Sequence, residues 1–544
     1  MEHIPSLLRS VCPDSAIVKD IKCSRTKATA ITNECMALES LECLQKHLQE
    51  SGNTFSLIID ETTDVSVKKS LAIVIRYCFN NLPRDRVFGI VKVEESNAES
   101  LFNIIIKLLK DNKIDLKDML GFAADNASVM MGHISGIKAR FHELNPNIFV
   151  LGCTCHSLHL AASAACSKIP KDLEEFVRNL YNYFSNSPKR INQLEEFQKF
   201  LDLKPFKMIR PCQTRWLSLQ AVMDRIILLW DSLQLHFTNF LFESLRNALD
   251  CETKLLEGLR NPVYKMYLLF LSYILGIVNQ IILQFQSEGT QIHLLYNKFT
   301  ALYNTVLRNY IKKSVIDKTE LPKIALANPD YFVELDNLYM GANVDLFIQQ
   351  INIDATEDQK FRTNILSFYI ELANQIRKRF NFEDKFLMFL STFEPKVAMS
   401  GEIPSIVKSN LYFGNNIITN LEQLNNEWRL LPDIACLKRY TNFNFIEFWI
   451  KVFNLKNEIN MPMFPNLTKL VKAIMCLPHS SAAADRIFSK LNLIKSDSRN
   501  RLSVETCNSI ILSTELIEGT KKCFNWEPQK SLLEKNGTYG KQRH

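Results

Sequence analysis

The stretch "FSLIIDETTDVSVKKSLAIVIRY", residues 55–77, decides the fold. Phe55, Leu57, Ile58 and Ile59 read as a buried strand, yet the run ends at once in Asp60 and Glu61, with Asp64 close behind. A carboxylate taken out of water without a partner costs several kcal/mol or changes its protonation. The acids therefore either mark where a strand emerges into a polar turn or hold something positive at its tip. A second run, "SLAIVIRYCF" (70–79), and a third, "DRVFGIVKVEE" (85–95), carry alternation and β-branched residues, with "NNLPRDR" (80–86) between them as a turn. Three strands on short links predict an antiparallel meander.

Working outward, the period becomes helical at "NAESLFNIIIKLLKDN" (97–112), where Leu101, Ile104, Ile105, Leu108 and Leu109 share a face. A short apolar run follows at 119–125, then a helix over 128–144, a strand in "NIFVLGCTC" (147–155) and a helix over 156–166. An antiparallel triplet continued by right-handed crossovers predicts one mixed sheet with helices on both faces. From 167 to about 450 only helical periodicity is evident, with no fixed repeat. "LTKLVKAIMCLPHSSAAADRIFSKLNLI" (467–494) reads as helix, proline break and helix, and 501–517 as a further amphipathic helix. The expected divisions are a helical segment (1–50), a first part of an α/β core (51–230), a helical region (231–450), the last part of the core (451–520) and a tail (521–544).

At 544 residues the chain exceeds one compact core. Its 47% hydrophobic and 23% charged residues are those of an ordinary folded soluble protein. A net charge of +7 permits nucleic-acid binding without requiring it. The 14 cysteines follow no secretory leader or spacing, which predicts free thiols in cytosol or nucleus. The apolar run 266–278 is shorter than the roughly 20 residues of a membrane span, so it is expected to be a buried helix, with no membrane partner.

In an open mixed sheet, ligands bind at the carboxyl ends of strands. Asp60 ends the first strand and Asp125, in "GFAADNAS" (121–128), ends the fourth. Neighbouring carboxylates repel unless they share a proton or a cation. Oxygen-only ligands suit Mg²⁺ or Mn²⁺ rather than zinc. The competing reading is that Asp125 merely caps the following helix, together with Asn126 and Ser128.

Five blocks in order resemble transposases of the hAT superfamily: "FSLIIDETTDVSVKKSLAIVIRY", "GFAADNASVMMG", "LGCTCHSLHLA" with Cys153 and His156, "CQTRWLS" with Arg215 and Trp216, and "LPHSSAAADRIFSKLNLIKSDSRNRLS". The resemblance covers nearly the whole chain. It implies α/β plus all-α architecture: a ribonuclease H-like mixed sheet interrupted by a large helical insertion. It also implies that Asp60, Asp125 and Asp485 form an acidic triad holding Mg²⁺ or Mn²⁺, suited to in-line attack on a phosphodiester. Arg215, Trp216 and His156 are then the DNA-binding residues, with the indole available to stack on a base. Ile487, Phe488, Leu491 and Ile494 are the dimerisation stripe, whose other use is to close the sheet within the chain. The implied partners are DNA and a second copy, and the implied location is nuclear.

Two departures matter. The family's third acid is normally Glu, and here "AAADRIFSK" (482–490) supplies Asp485. The side chain is about 1.5 Å shorter. No Cys-x₂-Cys…His finger precedes residue 54, because Cys12, Cys23, Cys35 and Cys43 are wrongly spaced, and zinc is not expected. The resulting expectation is a transposase-derived protein that binds DNA and self-associates, with metal-dependent strand cleavage retained or lost. The alternatives are an active cut-and-join transposase and a non-enzymatic, chromatin-associated scaffold.

Overall fold

The computed structural model describes residues 3–21, 23–63, 69–211, 216–243, 250–402, 404–496, 499–518 and 525–534. The chain divides into two compact units. The first is assembled from residues 1–154, 286–293 and 386–544, the second from 155–285 and 294–385.

The first unit holds one five-stranded sheet. Its strands are β1 (Phe55–Thr63), β2 (Lys69–Phe79), β3 (Leu82–Lys92), β4 (Met119–Ala124) and β5 (Phe149–Gly152). The order is β3-β2-β1-β4-β5, antiparallel across the meander and parallel from β1 through β4 to β5. The mixed sheet is thus the one its sequence predicts. The first turn is tighter than expected. Asn80 and Asn81 alone make it, both in the left-handed region (φ 51° and 64°), which a two-residue hairpin requires and Asn tolerates. Leu82–Arg86 therefore extends β3 instead of forming a loop. Pro83, which has no N–H to donate, is accommodated because β3 is an edge strand.

Alternation along the strands feeds two cores. Leu57, Ile59, Leu71, Ile73 and Ile75 face helices Ala37–Glu50, Ala98–Asp111 and Ile137–Leu144 through Leu44, Leu101, Ile105 and Phe141. Ile58, Ala72, Val74, Val87, Ile90 and Ala123 face helices Ala482–Ile494 and Val504–Glu518 on the other side. Burial on both faces is why "SLAIVI" in β2 is a continuous apolar run. The helix expected over 128–144 is broken into Ser128–Met131 and Ile137–Leu144. Between them Gly132 and Gly136 lie backbone to backbone, so that a Cβ on Gly136 would come 2.5 Å from the Gly132 nitrogen.

Among the described residues the second unit is helical apart from an isolated bridge, Ile311–Phe332. Its central helix, Pro262–Phe285, is longer than the apolar run suggested: 24 residues, long and apolar enough to cross a membrane. The run seemed to stop at Asn279, but that residue is buried and donates to Gln220 Oε1 at 2.7 Å. Phe270 packs edge-on against Phe368 and Tyr369, so the helix is the core of this unit. The unit begins at Cys155 and ends at Lys385, rather than at the expected 231 and 450. Helical periodicity reveals an apolar face but not which neighbour covers it.

Candidate active site

Asp60 lies two residues beyond Ile58 on β1, and Asp125 two residues beyond Ala123 on β4. Ile58 and Ala123 are direct partners in the parallel pair. The two acids are therefore level, on neighbouring strands about 4.8 Å apart. Both follow residues that point to the face covered by helix Ala482–Ile494. That helix carries Asp485 in its first turn, where the helix dipole favours an acid. Ala483 and Ala484 are buried against the sheet, so small side chains let this turn approach closely.

The electrostatics record the convergence. The Asp60 carboxyl is pushed up to about 8, first by burial, then by the charges of Asp485 and Asp125, with Cys153 adding a little. The Glu61 N–H, donating to Asp60 Oδ1 at 3.0 Å, opposes the shift. Asp125 accepts the Ala127 N–H at 3.2 Å. It makes a local turn before helix Ser128–Met131, whose N-cap is Ala127 without a side-chain bond, so Asp125 is not that helix's cap.

Among the described residues, no three His, Cys, Asp or Glu side chains already close into a metal cage. The donor chemistry nevertheless fits a hard divalent cation: the three carboxyls offer oxygen ligands, and burial together with the two acidic neighbours raises the Asp60 carboxyl, a cost that a cation would relieve.

A charged brace that the sequence reading missed fixes the third acid's helix. Arg76 on β2 is 1% exposed. Its Nη1 donates to both Asp85 oxygens (2.9 and 3.1 Å) and its Nε to the Met475 carbonyl (3.1 Å). Arg486, next to Asp485, turns away to meet Asp85 Oδ2 at 3.3 Å, the Gln286 carbonyl at 3.0 Å and Glu288 at 3.5 Å. The only advance signal was an arginine inside the apolar run of β2. The loop before the helix is buried too. Gly121 of β4 leaves room for it, since a Cβ there would meet Pro478 Cδ at 2.8 Å and Ser56 Oγ at 2.7 Å.

The other predicted residues fall elsewhere. Arg215 and Asp64 lie outside the described residues, as does the side chain of Trp216, which opens helix Trp216–Leu228 in the second unit. His156 is exposed on helix Thr154–Cys166, in the part belonging to the second unit. The proposed dimerisation stripe needs correction. Ile487, Phe488 and Leu491 are buried within the chain, and Ile494 packs partly against the same core. A helix that must close one sheet face uses its apolar stripe in doing so. Its exposed apolar residue is Leu493, 86% accessible.

Residues 13–136 match the family model described as ZMYM1/FAM200, RNase-like domain. Residues 420–516 match that of the hAT family C-terminal dimerisation region. The first match supplies Asp60 and Asp125, the second Asp485 and the helices that cover them. Over these two stretches the chain is similar to an RNase-like domain and to the C-terminal dimerisation region of the hAT family.

Proposed function

We propose that this protein binds DNA, self-associates through its C-terminal region, and keeps a metal-dependent site for phosphodiester chemistry at Asp60, Asp125 and Asp485. The helical second unit is then the insertion that divides a ribonuclease H-like core, and the protein works in the nucleus. The observation that carries this reading is the level placement of Asp60 and Asp125 on paired strands under the helix that carries Asp485, with the Asp60 carboxyl raised first by burial and then by these two acids, 65 and 425 positions away in sequence. A fold does not bring two carboxylates at neighbouring strand ends under a third on the covering helix without cost.

When bound, a Mg²⁺ or Mn²⁺ pair supplies Lewis acidity and lowers the pKa of an attacking water or 3′-hydroxyl. The chain's own part is positional. Asp60 and Asp125 present level oxygens at the sheet edge. The brace through Asp85 and Arg486 fixes the helix that brings Asp485 in. The small side chains of Ala482, Ala483 and Ala484 let that helix turn pack closely. The net charge of +7 supports phosphate contact. The matched dimerisation region supports self-association.

A second reading, a DNA-binding protein without nuclease activity, is favoured by the Asp in place of Glu and by the open arrangement of the three acids. Nicking of a supercoiled plasmid in Mn²⁺ separates the two. The first reading expects nicking by the wild type and at least about 10²-fold less by Asp125→Asn. Equal nicking by both proteins, or none by either, removes the catalytic part.

A further inference from the structure

We infer that Cys43 is a primed thiol, a site of oxidation by peroxides, with His47 as its base, Tyr77 orienting that base and Arg86 positioning the sulfur. This inference is independent of any activity at the three acids. Cys43 and His47 are one turn apart on helix Ala37–Glu50 and share a face. His47 Nε2 lies 3.6 Å from Cys43 Sγ. Its Nδ1 lies 3.0 Å from the Tyr77 hydroxyl on β2, and its ring stacks on Phe79 with centroids 3.8 Å apart. Arg86 of β3 donates from Nη1 to Cys43 Sγ at 3.6 Å and from Nη2 to Ser40 Oγ at 2.9 Å. Nucleophile, base and a third group holding the base form the constellation of an activated thiol. The Arg86 guanidinium, donating to the sulfur, holds it beside the base.

In the proposed arrangement the Tyr77 oxygen accepts from His47 Nδ1–H, the tautomer that leaves Nε2 bare and facing the thiol. Besides Cys43 and Tyr77, the charged groups facing His47 are Arg84 and Arg86 from β3 and Glu50 from its own helix. Glu515 of helix Val504–Glu518 faces Arg86 at 4.0 Å. Burial, with Arg86 and Arg84, lowers the His47 pKa, so the ring is neutral and able to take a proton at pH 7.

In the reaction, the sulfur attacks one peroxide oxygen: the S–O bond forms and the O–O bond breaks. The thiol proton passes through Nε2 to the departing hydroxide, which leaves as water. The sulfur is oxidised by two electrons to sulfenic acid and the peroxide is reduced.

The test treats the reduced full-length chain with hydrogen peroxide and dimedone, and follows adduct formation at each cysteine by peptide mass spectrometry at pH 7. Cys43, although half-buried, is expected to be trapped about tenfold faster than the exposed Cys251 and Cys436. His47→Gln is expected to abolish that lead, and Tyr77→Phe, which removes only the hydroxyl, to reduce it several-fold. The inference is overturned if Cys251 or Cys436 reacts as fast as Cys43 in the wild type. It is also overturned if the lead survives intact in Tyr77→Phe, which settles the matter even should His47→Gln fail to fold.

Discussion

Replacing Asp60 by Asn removes a carboxyl that the fold must keep protonated near neutral pH, so it should stabilise the protein. An ordinary aspartyl carboxyl titrates near 3.8, whereas that of Asp60 is pushed up to about 8. Between these two values the folded state holds a proton that the unfolded state has released. Stability therefore falls as pH rises through this window and is unaffected by Asp60 below it. At pH 7 the gap of about three pH units converts to about 4 kcal/mol at 1.36 kcal/mol each. Solvent screening at a half-buried side chain, and sharing of the proton with Asp125 and Asp485, bring this to about 2 kcal/mol. Asn keeps the oxygen that accepts the Glu61 N–H. In EDTA, urea denaturation should therefore find Asp60→Asn about 2 kcal/mol more stable than the wild type at pH 7.5 and equal to it at pH 4. Millimolar Mn²⁺ should stabilise the wild type by mass action and narrow or reverse the difference. Equal stabilities at pH 7.5 in EDTA would refute the convergence of the three acids.

Three further outcomes are expected. Asp85→Asn leaves the buried Arg76 and its neighbour Arg486 without their shared carboxylate, and should cost about 3–5 kcal/mol in urea denaturation; a loss below 1 kcal/mol would show that the brace is not structural. Phe488→Asp should unfold or aggregate the chain through a loss of about 3–5 kcal/mol, whereas Leu493→Asp on the exposed side should leave the melting temperature unchanged; a folded, monomeric Phe488→Asp seen by light scattering would restore Phe488 to the subunit interface. His479 and His293 are both pushed down to about 3, chiefly by burial, and must stay neutral in the folded state. Their unfolded forms protonate below pH 6.5, so each should remove about 2 kcal/mol of stability on going from pH 7 to pH 5, and His479→Gln should halve that loss.

Much of the fold could be read directly from the chain. The β-branched runs of β2 and β3, the switch to helical period at 97, and the apolar runs ending in Asp60 and Asp125 specify a meander followed by crossovers, because side-chain period and backbone geometry are local properties. The level placement of Asp60 and Asp125 was decided by the strand register, which pairs Ile58 with Ala123. What only tertiary structure decided is which apolar surfaces meet. The 487–494 stripe reads equally as a subunit face or as the lid of a sheet, and packing against Ile58, Val74 and Ala123 chose the lid. The brace of Arg76, Asp85 and Arg486 and the cluster around Cys43 join residues from separate strands and helices, up to 410 positions apart in the first case. Such charges stay buried only because each finds its partner across the fold, and no local pattern in the sequence encodes that meeting.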